Sequence, residues 1–271
     1  MLPFLFHYGR ISVPTYGVLV AAGMIVGLMV TGRLARRHGL DADKIWNLGI
    51  LAVFSAIVGA KLLLIINDLR WYAEHPREIF SLATLQAGGV FYGGLVTAIL
   101  VSLWYLRRNH MPALKTCDVF APGIALGHAI GRMGCFAAGC CWGRPSGLPW
   151  AVTFTNPLAA QLVGTPLGVP LHPTQIYEAL LEVSIFGVLL WVLRQKRSDG
   201  QVIGGYMLLY GFARFFMEFL RGDPDRGSVL GGLLTATQMI SILLVIAGGV
   251  LWLRRPAPQV QVANAASPAR R

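Results

Sequence analysis

Seven long apolar stretches, at about 16–34, 48–66, 88–106, 119–136, 176–193, 202–220 and 233–253, constrain this chain more than any other feature. Each is close to the ~20 residues with which an α-helix crosses about 30 Å of hydrocarbon. Lipid offers no partner to backbone N–H and C=O groups, so a crossing segment must satisfy them itself, as a helix does. Only 13% of the 271 residues are charged and 55% are hydrophobic, whereas soluble domains carry about a quarter charged residues. The expectation is an all-α polytopic membrane protein of seven transmembrane helices. The first stretch begins too polar and too late for a cleaved leader, and no small-residue cleavage site follows it.

The formal net charge of +11 would suggest nucleic acid in a soluble protein. Its distribution argues otherwise. With the N-terminus outside, fourteen of the 23 Lys and Arg residues fall on inner loops and the tail, six fall outside, and Lys61, Arg132 and Arg214 lie within spans. That bias obeys the positive-inside rule and sets an N-out, C-in topology. The basic charge then reads as a topology signal with some attraction to anionic lipid heads. One membrane domain is expected over 1–255. A small external cap of turns and short strands is expected at about 141–175, and a disordered cytoplasmic tail at 256–271. The segment 67–87, with Trp71, Tyr72 and Glu74, reads as a short amphipathic arm at the interface.

Arg132 and Arg214 are the informative exceptions to this apolar pattern. A charge at bilayer depth costs about 2.5–3.5 kcal/mol or more, so it faces a bundle interior and meets a partner. Arginine keeps its proton, and its planar fork suits phosphate. A buried phosphate site is the sharper reading; a structural pair, such as Arg214 with Glu218, is the plainer one. Tyr210, Arg214 and Glu218 are spaced by four and share a helix face, with Arg221 near its outer end. Arg132 lies between two glycines in Gly131-Arg132-Met133-Gly134, where a broken helix can expose amides to an anion. Arg132 and Arg214 fall at similar depth in the outer half of the bilayer.

Other residues carry two readings each. Tyr16 opens the first span as a belt tyrosine or a site residue. Gly23 with Gly27, and Gly127 with Gly131, have the spacing that lets membrane helices approach closely. The glycines around Tyr92 either pack or leave room for a lipid head group. His128 and His172 read as hydrogen bonders, with Thr174 as a cap of the fifth helix and Glu178 close behind it. Cys135, Cys140 and Cys141 cluster on the outer side. A disulfide from Cys135 to Cys140 or Cys141 is the favoured reading, with free thiols, metal ligation or nucleophilic catalysis as alternatives. C-x4-C-C is not a standard zinc or haem spacing. No metal and no cofactor are expected.

The segment GRMGCFAAGCCWGRPSG at 131–147 resembles the signature of the bacterial prolipoprotein diacylglyceryl transferases, roughly G-R-x-G-N-F-x-N-x-E-x-x-G. VPTYGVLVAAG at 13–23, GGVFYGG at 88–94, LHPTQIYEAL at 171–180 and YGFARFFMEFLRGDPD at 210–225 follow in that family's order. The resemblance covers nearly the whole chain. It implies transfer of an sn-1,2-diacylglyceryl group from phosphatidylglycerol to the lipobox cysteine thiol of a prolipoprotein, with release of glycerol 1-phosphate. It also implies a multi-pass enzyme of the bacterial inner membrane, its active site toward the periplasm. The implied partners are phosphatidylglycerol, prolipoprotein signal peptides and membrane lipids, with no nucleic acid, and the chain is expected to be a monomer.

By matching motifs, Arg132 is similar to the family's phosphate-binding arginine, and Arg214 to the essential arginine of the sixth span, with Glu218 and Arg221 beside it. Tyr16 matches the functional tyrosine of the first span and Gly143 the signature's final glycine. Three departures from the pattern matter. Tyr92 stands where the family has a histidine read as a base for the incoming thiol; Cys135 replaces the signature Asn and Cys140 the signature Glu. On this reading Arg214, Tyr92 and Tyr16 are catalytic, and Arg132, Arg221, Glu218, Gly143 and Cys135 bind substrate. A phosphatidylglycerol-dependent enzyme with another acceptor, or a transporter, are the competing readings.

Overall fold

The computed structural model of the chain describes residues 2–8, 11–81, 84, 89–223 and 227–254; the expected tail at 256–271 lies outside them. Nine α-helices are present among these residues: α1 (Thr15–Arg37), α2 (Ala42–Asn67), α3 (Leu69–Glu74), α4 (Phe91–Arg108), α5 (Ala113–Ala138), α6 (Pro157–Val163), α7 (Thr174–Gln195), α8 (Gln201–Met217) and α9 (Ala236–Trp252). Three of them, α1, α2 and α7, are long and apolar enough to cross a membrane. All seven helices of 17 residues or more overlap the apolar stretches. Phe54, Leu100, Trp104, Trp191 and Phe212 stand more than half exposed on them, as side chains that meet lipid do.

Local chemistry sets the helix ends. Asp41 caps α2 by accepting from the Asp43 and Lys44 amides, satisfying donors that have no partner in the first turn. Thr235 and Gln238 form a reciprocal capping box on α9. Arg36 and Arg37, and Arg107 and Arg108, end α1 and α4, where positive charge favours the carboxyl end of a helix dipole. α5 ends on Gly139 with φ +83°, a left-handed conformation that costs glycine little.

The helices assemble through small residues. α5 is central and packs against α1, α7 and α8, while α4 rests on α2 and α9 on α8. A Cβ on Gly23 would stand 2.5 Å from the Gly127 carbonyl oxygen, and one on Gly27 2.6 Å from that of Gly123. Only glycine admits backbones this close, and in lipid such close packing drives association. The pair on α5 is therefore Gly123 and Gly127, not the expected Gly127 and Gly131. The nearest atom to a Cβ on Gly131 would be Val20 Cγ2, at 4.0 Å. Gly94, beside Tyr92, is likewise spent on packing: its Cβ would lie 2.8 Å from the Ala56 carbonyl of α2.

At the other end of α5, the fully buried Asp118 ties three elements together. Its carboxylate accepts from Lys196 Nζ (2.8 Å) and from the amides of Gly200, Val202 and Ile203 (2.9, 3.0 and 3.0 Å). It thus serves α8 as a cap supplied from another helix. Between α5 and α7 the chain forms a folded segment with a two-stranded ribbon, β1 (Val152–Thr153) against β2 (Pro170–Leu171). It is held on a small core of Trp142, Phe154 and Leu171. Thr165 Oγ1 pins it to the Gly139 carbonyl at 2.9 Å.

Candidate functional site

Arg132 leaves the end of α5, Arg214 the last turn of α8, and Arg221 the segment after α8. All three converge on Glu178 in the second turn of α7. Arg132 Nη2 lies 2.6 Å from Glu178 Oε2. Arg214 Nη1 and Arg221 Nη1 lie 3.8 and 3.4 Å from Oε1. A further side chain holds each guanidinium from behind. Arg214 Nη2 meets Glu218 at 3.0 Å, and Arg221 forms a two-pronged pair with Asp223 at 2.8 Å on both contacts. Arg132 Nε donates to His128 Nε2 (3.2 Å), and His128 Nδ1 lies 2.7 Å from Glu182. His128 therefore bridges Arg132 to a second acid of α7.

Arg214, Arg221, Glu178, Glu182 and Glu218 are all buried. Charges removed from water this way persist only when paired. One donor is left over: Arg214 Nη1 is buried with no hydrogen-bond acceptor among the described residues. It faces a crevice lined by Glu178, Glu182, Tyr210, Ala213 and Met217 together with apolar side chains of α7. Arg214 is the guanidinium that lines this small crevice, beside the Glu178 and Glu182 carboxylates. Tyr210 stands edge-on to His128, ring centroids 5.5 Å apart.

Gly143 sets Arg221 in place through the backbone. It pairs with Arg221 in an antiparallel bridge, and its neighbours add bonds from the Arg144 amide to Leu220 O (2.8 Å) and the Gly222 amide to Trp142 O (3.1 Å). A Cβ at Gly143 would stand 2.6 Å from the His172 carbonyl and 2.9 Å from that of Leu220. Tyr16, at the start of α1, is half-exposed. Its carbonyl and ring sit against Gly134 of α5, within electrostatic reach of Arg132 and of Cys135, Cys140 and Cys141. Tyr92 is different. It is half-exposed in the first turn of α4, its ring edge-on to Phe91, and its hydroxyl makes no hydrogen bond among the described residues.

The structure corrects several expectations. α5 runs unbroken through Arg132 to Ala138, so guanidinium nitrogens rather than opened amides face an anion there. The four cysteines are free thiols, against the expected disulfide. The sulfurs of Cys135, Cys140 and Cys141 instead gather as a trio within 4.8 Å of one another. In that trio, hydrogen bonds from Cys135 and Cys140 hold the Cys141 thiol well below its ordinary range, with Arg221 and Arg132 acting in the same direction. Cys140, hydrogen-bonded to Cys135 and Cys141, is pushed up. Burial opposes the charge of Arg221, yet Asp223 and Cys141 raise it overall. Thr174 does not cap α7. Its hydroxyl donates to the Cys141 carbonyl at 2.8 Å, while Gln175 holds the Cys140 carbonyl at 2.7 Å.

Glu178, Glu182 and Asp223 carry much of the site; the sequence singled out Glu178 only as a neighbour of the Thr174 cap, and Glu182 and Asp223 not at all. The signal was present: two acids four apart inside the apolar run of α7 are as costly there as the arginines that drew notice.

Comparison with known proteins bears on this geometry. A model of the family described as prolipoprotein diacylglyceryl transferase matches residues 3–254. The chain belongs to that family. It is 35% identical over 248 residues to the phosphatidylglycerol–prolipoprotein diacylglyceryl transferase of Clostridium tetani, covering 92% of this chain and 95% of that protein. Similarity extends to the proteins of the same name from Dehalococcoides mccartyi (strain CBDB1), at 33% over 96% and 95% of the two chains, and Vibrio atlanticus, at 30% over 91% and 88%.

Proposed function

We propose that this chain transfers the diacylglyceryl group of phosphatidylglycerol to the cysteine thiol of prolipoproteins, the activity for which its relatives are named. The observation that carries the reading is the convergence of Arg132 and Arg214 on one carboxylate beside a crevice, where Arg214 Nη1 is ion-paired at 3.8 Å but has no hydrogen-bond acceptor among the described residues. In the reaction a thiolate attacks the glyceryl carbon, a C–S bond forms, and the C–O bond breaks with its electron pair leaving on the phosphate. The leaving group gains a negative charge and needs stabilisation more than a proton. A guanidinium about 4 Å from a unit charge contributes about 4 kcal/mol at an effective dielectric of about 20, roughly three powers of ten in rate. Positioned donors in a poorly hydrated crevice supply this without reorganising.

Arg132 and Arg214 bind the phosphate, Glu178 holds their forks open until lipid arrives, and Arg221 and Gly143 form the rim on which the acceptor docks. Cys135 lines that rim, and Glu218 steadies Arg214. Tyr16, at similar depth, orients the glycerol hydroxyls. Seven helices cross the inner membrane N-out and C-in, the crevice opens toward the periplasmic half, and the enzyme acts as a monomer. The basic residues of the intervening loops support that orientation. The test is rescue of a bacterium depleted of its own transferase, with mass spectrometry of a reporter prolipoprotein. Growth with a diacylglyceryl mass on the reporter cysteine is expected; an unmodified reporter in cells making the full-length protein would overturn the assignment.

A further inference from the structure

The trio of thiols has no part in the phosphate chemistry above, and its construction calls for one. Cys135 ends α5 one turn beyond Arg132, and Cys140 and Cys141 follow the left-handed Gly139. Cys141 itself adopts φ +64°, a conformation uncommon for a residue with a side chain. Two polar side chains of α7 hold this turn, Thr174 on the Cys141 carbonyl and Gln175 on the Cys140 carbonyl. The result places three sulfurs within 4.8 Å of one another, at the rim between Arg132 and Arg221. Sulfurs that share a zinc ion at about 2.3 Å stand about 4 Å apart, so small adjustments close the set.

We propose that Cys135, Cys140 and Cys141 hold a zinc ion whose fourth position takes the sulfur of the acceptor cysteine. Thiolates select soft or borderline metals, and zinc with three protein ligands keeps an open position for a substrate. Coordination deprotonates a thiol outright. The acceptor's S–H proton passes to water, its sulfur pair remains on zinc as a thiolate, and that pair then forms the C–S bond as the glyceryl C–O bond breaks. Such activation suits this site. Glu178 and Glu218 are committed to arginines, and His128 is held between Arg132 and Glu182, so none of them stands ready to take the proton. Three thiolates and Zn²⁺ sum to one negative charge, which Arg132 and Arg221 offset. The inference rests on the transferase reading for the identity of the acceptor.

The test uses the full chain purified in detergent under reducing conditions. Elemental analysis is expected to find about one zinc per chain, falling at least about tenfold in Cys135→Ser and Cys141→Ser and unchanged in Cys117→Ser. Cobalt(II) in place of zinc should give thiolate charge-transfer bands that strengthen on adding a lipobox peptide with cysteine but not with serine. Several outcomes overturn the proposal: three titratable free thiols without metal, a mass 2 Da lower from a disulfide within the trio, or bound metal indifferent to the cysteine peptide. Undiminished transfer by zinc-stripped enzyme would also overturn it while leaving the transferase reading intact. Metal and peptide response without any lipid transfer would do the reverse.

Discussion

Arg132 Nη2 lies 2.6 Å from Glu178 Oε2, so a basic side chain of α5 and an acidic one of α7 meet inside the bundle. The same carboxylate faces Arg214 and Arg221 through its other oxygen. Removing Glu178 takes a carboxylate from three guanidinium groups at once and leaves Arg132 with none, because Arg214 and Arg221 keep Glu218 and Asp223. A buried charge that loses its partner costs about 3–5 kcal/mol. Glu178→Ala is expected to lower the thermal midpoint of the detergent-solubilised protein sharply. Glu178→Gln, which keeps the shape and two hydrogen-bonding atoms, should fold but transfer lipid poorly. Thermal unfolding and reporter mass spectrometry check the two variants, and a Gln variant with normal transfer would remove Glu178 from the site.

Arginine at 132 is used through three directions: Nε on His128, Nη2 on Glu178, and the remaining face toward the rim. Lysine offers a point charge and no planar fork. Arg132→Lys is expected to lose at least about two powers of ten in transfer, or about 2.7 kcal/mol of transition-state stabilisation, while remaining folded by size-exclusion chromatography. Arg132→Ala should abolish transfer. Near-normal labelling by the lysine variant would show that charge alone suffices.

The helices and the two arginines within apolar runs were legible in the sequence because each leaves a local mark, an apolar run or a charge within one. What joins them was not. The partner of Arg132 stands on another helix, and only tertiary packing brings Glu178 to it. The small-residue pattern identified α1 and α5 as close-packing helices, but at Gly131 the nearest atom of α1 is the Val20 side chain at 4.0 Å, and Gly123 takes its place in the backbone contact. The cysteine trio depends on left-handed backbone at Gly139 and Cys141, which C-x4-C-C spacing does not encode.

Tyr92 provides a sharper test of how the acceptor thiol loses its proton. It is half-exposed on α4, which packs on α2, and its hydroxyl has no hydrogen-bond partner among the described residues. Tyr92→Phe is expected to keep transfer within about threefold, a change of under about 0.7 kcal/mol. A loss of two powers of ten in the initial rate, with lipid binding retained, would place the hydroxyl in the reaction.

Asp118 is the structural counterpart of Glu178 at the opposite end of α5, and its removal should act on stability rather than chemistry. Asp118→Ala leaves Lys196 and the amides of Gly200, Val202 and Ile203 without their acceptor, at a cost of about 3–5 kcal/mol for the unpaired charge and donors together. Amide hydrogen exchange at Val202 and Ile203 should accelerate before the rest of α8. Lys196→Met separates the charge from the cap. Burial alone would lower the Lys196 pKa, but the Asp118 carboxylate raises it overall. A group whose folded pKa is raised contributes fully below its ordinary value, about 10.4, and loses that contribution as pH climbs through the folded value. The stability gap between the parent protein and Lys196→Met should therefore stay level from about pH 6 to 9 and narrow only above about pH 10. The absence of any gap between about pH 6 and 9 would instead show that Asp118 is held by the amides alone.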